Sequence, residues 1–176
     1  MNDILSSLCE RSEKEKFNLY SIALMQSGEI TEKRRIPADL CTNSYSVAKA
    51  FIVTAIGMLW DQNRIRPDDR VCDILHRECP RSATDAWKDV TVEHLLTHKV
   101  GFGRGFLDID TEKCSEYPTN DFLSMIWNEP IPYAPGTHFQ YTDAAFYMLS
   151  VIITKLTGKR ADDFLRPILF DALHFD

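Results

Sequence analysis

From Val47 to Trp60 every residue is apolar or small except Thr54 and one charged residue, Lys49. A helix of that composition has no polar face to turn to water. The segment therefore predicts a central helix buried on all sides, with the rest of the chain packed around it. Its fourteen residues fall short of the roughly 20 that a bilayer span needs, and no membrane span is expected.

The exception in that segment is the informative residue. Burying an unpaired ammonium is costly or forces its pKa down, so a lysine kept there needs a partner or a task. Ser46 stands three residues earlier and is the only serine followed by lysine at that spacing. Positions i and i+3 share a helical face, which is the geometry a nucleophile and its activating base require. Chance supplies Ser-x-x-Lys on the order of once in a chain this long. Ser46 as a plain helix N-cap, with Lys49 snorkelling to water, accounts for the pair equally well.

Around this segment the chain reads as one domain over residues 1–176, long enough for a proper core. A weak helical pattern at Asp3–Glu15 precedes two strands, Phe17–Met25 and Ile30–Ile36, joined by the turn residues Gln26-Ser27-Gly28-Glu29. Pro37–Tyr45 is a polar connection. A short helix ends near Leu75, Cys79–Lys88 reads as an irregular surface stretch with one Trp, and Thr91 is a plausible N-cap for a helix to His98. Gly101–Pro118 is a loop. Helices follow at Asp121–Trp127, Phe139–Leu156 and Ala161–Phe170.

The net charge of -6, with Lys and Arg scattered among acids, argues against a nucleic-acid partner. Glu10, Glu13 and Glu15 interrupt the place where a signal peptide needs an apolar run, so a cytoplasmic location is expected for the chain as given. The five cysteines are odd in number and show no Cys-x-x-Cys, which predicts reduced, mostly buried thiols. His94 and His98 stand four apart, a spacing able to bind zinc, but no Glu follows the first. They are expected to be partly buried helix histidines, with no metal and no cofactor. Gly101-x-Gly103-x-Gly105 lacks the leading strand of a dinucleotide fingerprint and reads as a flexible loop beside a cleft.

Asn43-Ser44-Tyr45-Ser46-Val47-Ala48-Lys49 resembles the nucleophile segment of class C β-lactamases, penicillin-binding DD-peptidases and related esterases. Three further segments resemble landmarks of that family in the same order. They are Asn63–Val71, Thr91–Gly101 (similar to "LLTHTSG") and Pro135–Asp143 (similar to "PGT-x-F-x-YSN"). The resemblance runs from about Phe17 to the end of the chain. It implies an α/β (α+β) fold of the β-lactamase/transpeptidase-like type, of which this chain holds a mostly helical portion with an N-terminal β-hairpin. The C-terminal sheet strands, including the Lys-Thr-Gly or His-x-Gly strand, are absent from the 176 residues. Periplasmic or extracellular relatives are expected in such a family.

Carried over by position, the resemblance implies that Ser46 is the acylated nucleophile and Lys49 the group that takes or relays its proton. Tyr141 becomes the phenol that protonates the leaving group and activates the deacylating water. A phenol with its ordinary pKa near 10 needs an adjacent cation for that role, and Lys49 is the nearest candidate. Asp143 falls at a substrate-binding position where the family usually has Asn; a carboxylate there could pair with Lys49 and make it a poorer base. The family's oxyanion hole uses the Ser46 N–H and one from the absent strand, and losing such a donor costs about 100 to 1,000-fold. Two readings follow. One is a serine hydrolase acting on a β-lactam, a D-alanyl peptide or a small ester through a covalent Ser46 acyl-enzyme. The other is a catalytically inactive pseudoenzyme or interaction module of the same fold. Unpaired edges of the hairpin would invite self-association.

Overall fold

A computed structural model describes residues 2–35, 43–108 and 111–175. Its backbone falls into two compact units, Met1–Asn43 and Ser44–Asp176. In the first, helix α1 (Asn2–Lys14) precedes a hairpin of β1 (Ser21–Gln26) and β2 (Glu29–Arg34), antiparallel with Gln26 opposite Glu29. Ser27 and Gly28 both take positive φ, 53° and 83°, the two-residue turn whose twist matches that of the flanking strands. β1 begins four residues later than its apolar content predicts. Lys16 turns left-handed at φ 58°, and the Phe17 N–H is drawn back to the Ser12 carbonyl. Arg35 ties the end of the hairpin to α1 through hydrogen bonds to Ser12 and Glu13. Of the connection predicted at Pro37–Tyr45, positions up to 42 lie outside the described residues, Cys41 among them.

The second unit is built on α2 (Ala48–Asp61) and α7 (Asp143–Thr157), which pack against each other. α7 is apolar at Ala145, Met148, Leu149, Ile152 and Ile153, all fully buried at helical spacing. Thr142 caps its start by accepting the Ala144 N–H, and Gly158 in the left-handed region ends it. The expected helix at Phe139 therefore starts four residues late. α3 (Val71–Ile74) and α5 (Val92–Leu96) are joined where Arg70 bridges Thr91. Thr91 caps α5 as predicted, in a reciprocal box with His94. α4 (Thr84–Trp87) and α6 (Phe122–Asn128) complete the middle of the unit. α8 (Ala161–Leu165) gives way to one π turn over Arg166–Phe170, because Pro167 has no N–H for the α-helical ladder that the sequence pattern implies.

Two expectations are corrected. The segment predicted to be buried on all sides is a helix with one open face. Ala55, Ile56 and Leu59 are buried, but Val53 is 46% and Trp60 52% exposed, because among the described residues α7 and α8 cover only one side. The stretch Cys79–Lys88, read as irregular surface, instead contributes α4 and the fully buried Trp87. That indole meets Trp127 edge-on at 4.7 Å and Phe102 at 5.8 Å.

Cys9, Cys72 and Cys79 are free thiols, of which Cys9 is buried. Burial and the neighbouring Cys79 push the Cys72 thiol up to about 12, which keeps it protonated at neutral pH. No helix among the described residues is long and apolar enough to cross a membrane.

The Gly101–Phe106 loop is held at both ends. Gly101 has φ 105°, its carbonyl accepts the Tyr133 N–H at 3.2 Å, and any Cβ there would collide with the Tyr133 carbonyl. Gly101→Ala is expected to destabilise the chain by more than about 1 kcal/mol, from strain and clash together. A urea melt checks it, and an unchanged midpoint would mean that the loop adapts.

Candidate active site

Ser46 sits in a single 3-10 turn, Tyr45–Val47, that leads directly into α2. Tyr45 holds φ 47°, a conformation that costs a residue with a Cβ on the order of 1–3 kcal/mol and is found preferentially at functional sites. Ser46 is exposed. Lys49 lies one turn further on, and its ammonium donates to Ser46 Oγ at 3.2 Å. The Tyr141 hydroxyl approaches from the extended segment before α7, with Oη 2.6 Å from Ser46 Oγ. Asp143, the first residue of α7, forms an ion pair with Lys49. The structure thus brings together all four residues singled out in the sequence.

The third and fourth landmark segments, Thr91–Gly101 and Pro135–Asp143, explain how Tyr141 is placed. Their backbones bond to each other, with the Gln140 N–H on the His98 carbonyl at 2.9 Å and the Gly136 N–H on the Lys99 carbonyl at 2.8 Å. Gly136 takes φ 84° and lies so close to His94 that a Cβ would come within 3.0 Å of Nε2. The buried Thr142 hydroxyl donates to the Phe106 carbonyl at 2.8 Å and accepts the Phe106 N–H at 3.3 Å. The glycine loop is thereby pinned beside Tyr141.

Burial of Lys49 works to lower its pKa, but the hydrogen bonds to Asp143 and then Tyr141, with their charges, outweigh it and hold the ammonium above its ordinary value. For a raised group, the stabilisation from the pair is complete below the unfolded value of 10.5. It is lost as pH rises through the higher folded value. Lys49 is therefore a fixed cation at neutral pH. Its Nζ also lies 4.9 Å from the centre of the Tyr141 ring and 5.7 Å from that of Phe146.

One site neighbour escaped the sequence reading of the two histidines. His98 stacks against Tyr141 with ring centres 4.6 Å apart and against Phe146 at 5.0 Å, whereas His94 is occupied with Thr91 and Gly136. The only signal for it was its place in the "LLTH" segment. An open groove of about 680 Å³ between α2, α7 and the π turn, lined by Phe51, Ile52, Tyr147, Val151 and Phe170, is separate from these four side chains.

Residues 12–176 match the family model described as Beta-lactamase. The chain is 30% identical over 138 residues to penicillin-binding protein 4 of Amycolatopsis lactamdurans, covering 78% of this chain and 35% of that protein. It is 26% identical over 125 residues to esterase EstB of Burkholderia gladioli, covering 65% and 32% respectively. The octameric penicillin-binding protein homologue from Pyrococcus abyssi superposes with a TM-score of 0.72 at 21% identity, over 99% of this chain and 43% of that one. The chain thus spans about a third of the length of the curated relatives it matches.

Proposed function

The chain belongs to the beta-lactamase family, and from that membership we propose that it carries the acyl-transfer centre of a serine hydrolase, with Ser46 as nucleophile. The carrying observation is the triangle of Ser46 Oγ, Tyr141 Oη and Lys49 Nζ, in which both partners lie within hydrogen-bond reach of one exposed hydroxyl. Ser46 Oγ bonds to the acyl carbon of a β-lactam, a D-alanyl peptide or a small ester and Tyr141 relays the proton: its hydroxyl gives its own hydrogen to the leaving nitrogen or oxygen as the C–N or C–O bond breaks, and takes the hydrogen of Ser46. In the second half water bonds to the acyl carbon and the Ser46 ester bond breaks; Tyr141 gives its hydrogen to Ser46 Oγ and takes one from the water.

Lys49 serves in this scheme as a permanent cation. With Asp143 as its partner it is a poor base, and its charge steadies the negative charge that develops on the Ser46 and Tyr141 oxygens. Relatives that include a penicillin-binding protein and an esterase fit a centre that accepts both amide and ester carbonyls. The same ion pair motivates the alternative reading, a non-catalytic member of the family, because it removes Lys49 as a proton acceptor.

Intact mass after incubation with a fluorescent penicillin and with a fluorophosphonate separates the two. The expected result is a single adduct on the wild-type chain and none on Ser46→Ala. No adduct with either probe would overturn catalysis by this chain and leave the non-catalytic reading.

A further inference from the structure

We infer that His98 is a positioning residue for Tyr141: its neutral imidazole supports the phenol ring and accepts the Thr142 N–H, and protonating it withdraws the phenol from Ser46. The inference rests on the role proposed for Tyr141 and adds the device that holds that residue in place.

The contacts converge on one ring. His98 follows α5 in a left-handed conformation, φ 56°, which turns its side chain away from the helix and its carbonyl toward the Gln140 N–H. The imidazole lies tilted by 33° on the Tyr141 ring, with Phe146 on it at 5.0 Å and Phe139 edge-on at 5.9 Å. Its Nδ1 accepts a long hydrogen bond, 3.4 Å, from the backbone of Thr142. An accepting Nδ1 is unprotonated, so the neutral ring carries its proton on Nε2. Tyr141 is thereby held through its ring by His98 and through the next residue's N–H by the same side chain.

The titratable and charged groups facing this imidazole are Lys49 from α2, Tyr141 from the segment before α7, and Asp143 from α7 itself; His94 on α5 is directed to Thr91 and Gly136. Burial and then the Lys49 charge hold the His98 pKa below its ordinary value, with Asp143 acting against them. Lys49 and His98 flank one phenol, and only one of them carries charge at neutral pH. Adding a proton at Nδ1 turns an acceptor into a donor pointed at the Thr142 N–H. It also places a second cation beside Lys49. Both effects push the ring off Tyr141 and end the 2.6 Å contact with Ser46.

The test uses the full chain with ¹³Cζ-labelled tyrosine and ¹³Cε1-labelled histidine, titrated from about pH 4 to about pH 9, across the histidine range. Tyr141→Phe assigns the Tyr141 resonance and His98→Phe the His98 one. The expected result is a step in the Tyr141 signal below the ordinary histidine value of 6.5, with the same midpoint as the His98 imidazole. That step should be absent from His98→Phe and from His98→Asn. The rate of adduct formation at Ser46 should fall about tenfold per pH unit below that midpoint in wild type, as the neutral fraction does, and lose this limb in His98→Asn. A Tyr141 signal that does not follow the His98 midpoint overturns the inference, and so does a step that persists in either variant. Where one His98 variant does not fold, the other assigns the imidazole signal, and a Tyr141 signal that does not share its midpoint still overturns the inference. Absence of any Ser46 adduct would count against the proposed function, while the resonance titration would still decide the role of His98.

Discussion

Tyr141→Phe is expected to slow acylation of Ser46 by about 100 to 10,000-fold, the range that a positioned acid–base group contributes, while leaving the melting midpoint nearly unchanged. The substitution removes one oxygen and keeps everything else the ring does. Its stacking on His98 and its face toward the Lys49 ammonium survive, and the Thr142 cap that starts α7 is untouched. What disappears is the only side-chain partner of Ser46 Oγ among the described residues, at 2.6 Å as against 3.2 Å for Lys49, that is not already a protonated cation. Loss of rate without loss of probe affinity is the signature of a group acting in the transition state. The measurement is the observed rate constant of fluorophosphonate adduct formation by intact mass, at several probe concentrations. A fall of less than about tenfold would transfer the proton acceptor's role to Lys49 in spite of its carboxylate partner, since a relay through Tyr141 would then be dispensable.

Much of this site was legible before any coordinates, and for a definite reason. Ser46 and Lys49 are one helical turn apart, so local geometry alone brings them together, and the oddity of a charge in an apolar run flagged the pair. Tyr141 and Asp143 lie nearly a hundred residues away, and no local rule connects them to Ser46; they were found through resemblance of ordered segments. The pairing of Lys49 with Asp143 followed from the carboxylate's unusual place in its segment. His98 was misjudged in emphasis because four-residue spacing is a helical rule. The helix ends at Leu96, and His98 leaves it with positive φ, so the two histidines face different partners. Composition also misled at α2. An apolar surface says that something can cover every face, whereas the described residues cover one. Trp87 was hidden by its neighbours: Arg81, Asp85 and Lys88 make the stretch look like surface, and the four-residue helix that turns one indole inward is too short for periodicity to show.

That indole carries the second large effect. Trp87→Ala is expected to cost about 3–5 kcal/mol of folding stability, the range for truncating a buried large aromatic, because Trp87 is fully buried and nothing nearby is free to fill its volume. Trp127 and Phe102 lean on it edge-on, and both are themselves buried in the same cluster. Trp87→Phe should cost much less. The Trp87 Nε1–H is buried without an acceptor among the described residues, and an unpaired buried donor already carries a penalty of about 1–3 kcal/mol. Removing it offsets part of the lost contact. Urea unfolding of the two variants tests the difference, and equal losses would show that the indole nitrogen is satisfied, for instance by a buried water. The consequence reaches the site along a continuous path. Phe102 belongs to the glycine loop, Phe106 four residues on packs edge-on against it at 5.0 Å, and the Phe106 backbone holds the Thr142 hydroxyl beside Tyr141. A cavity at Trp87 should therefore slow Ser46 acylation under conditions where the variant is still folded, and Trp87→Phe should restore most of the rate. A Trp87→Ala chain that is folded, destabilised and fully reactive would show that the loop holds Tyr141 without support from the core.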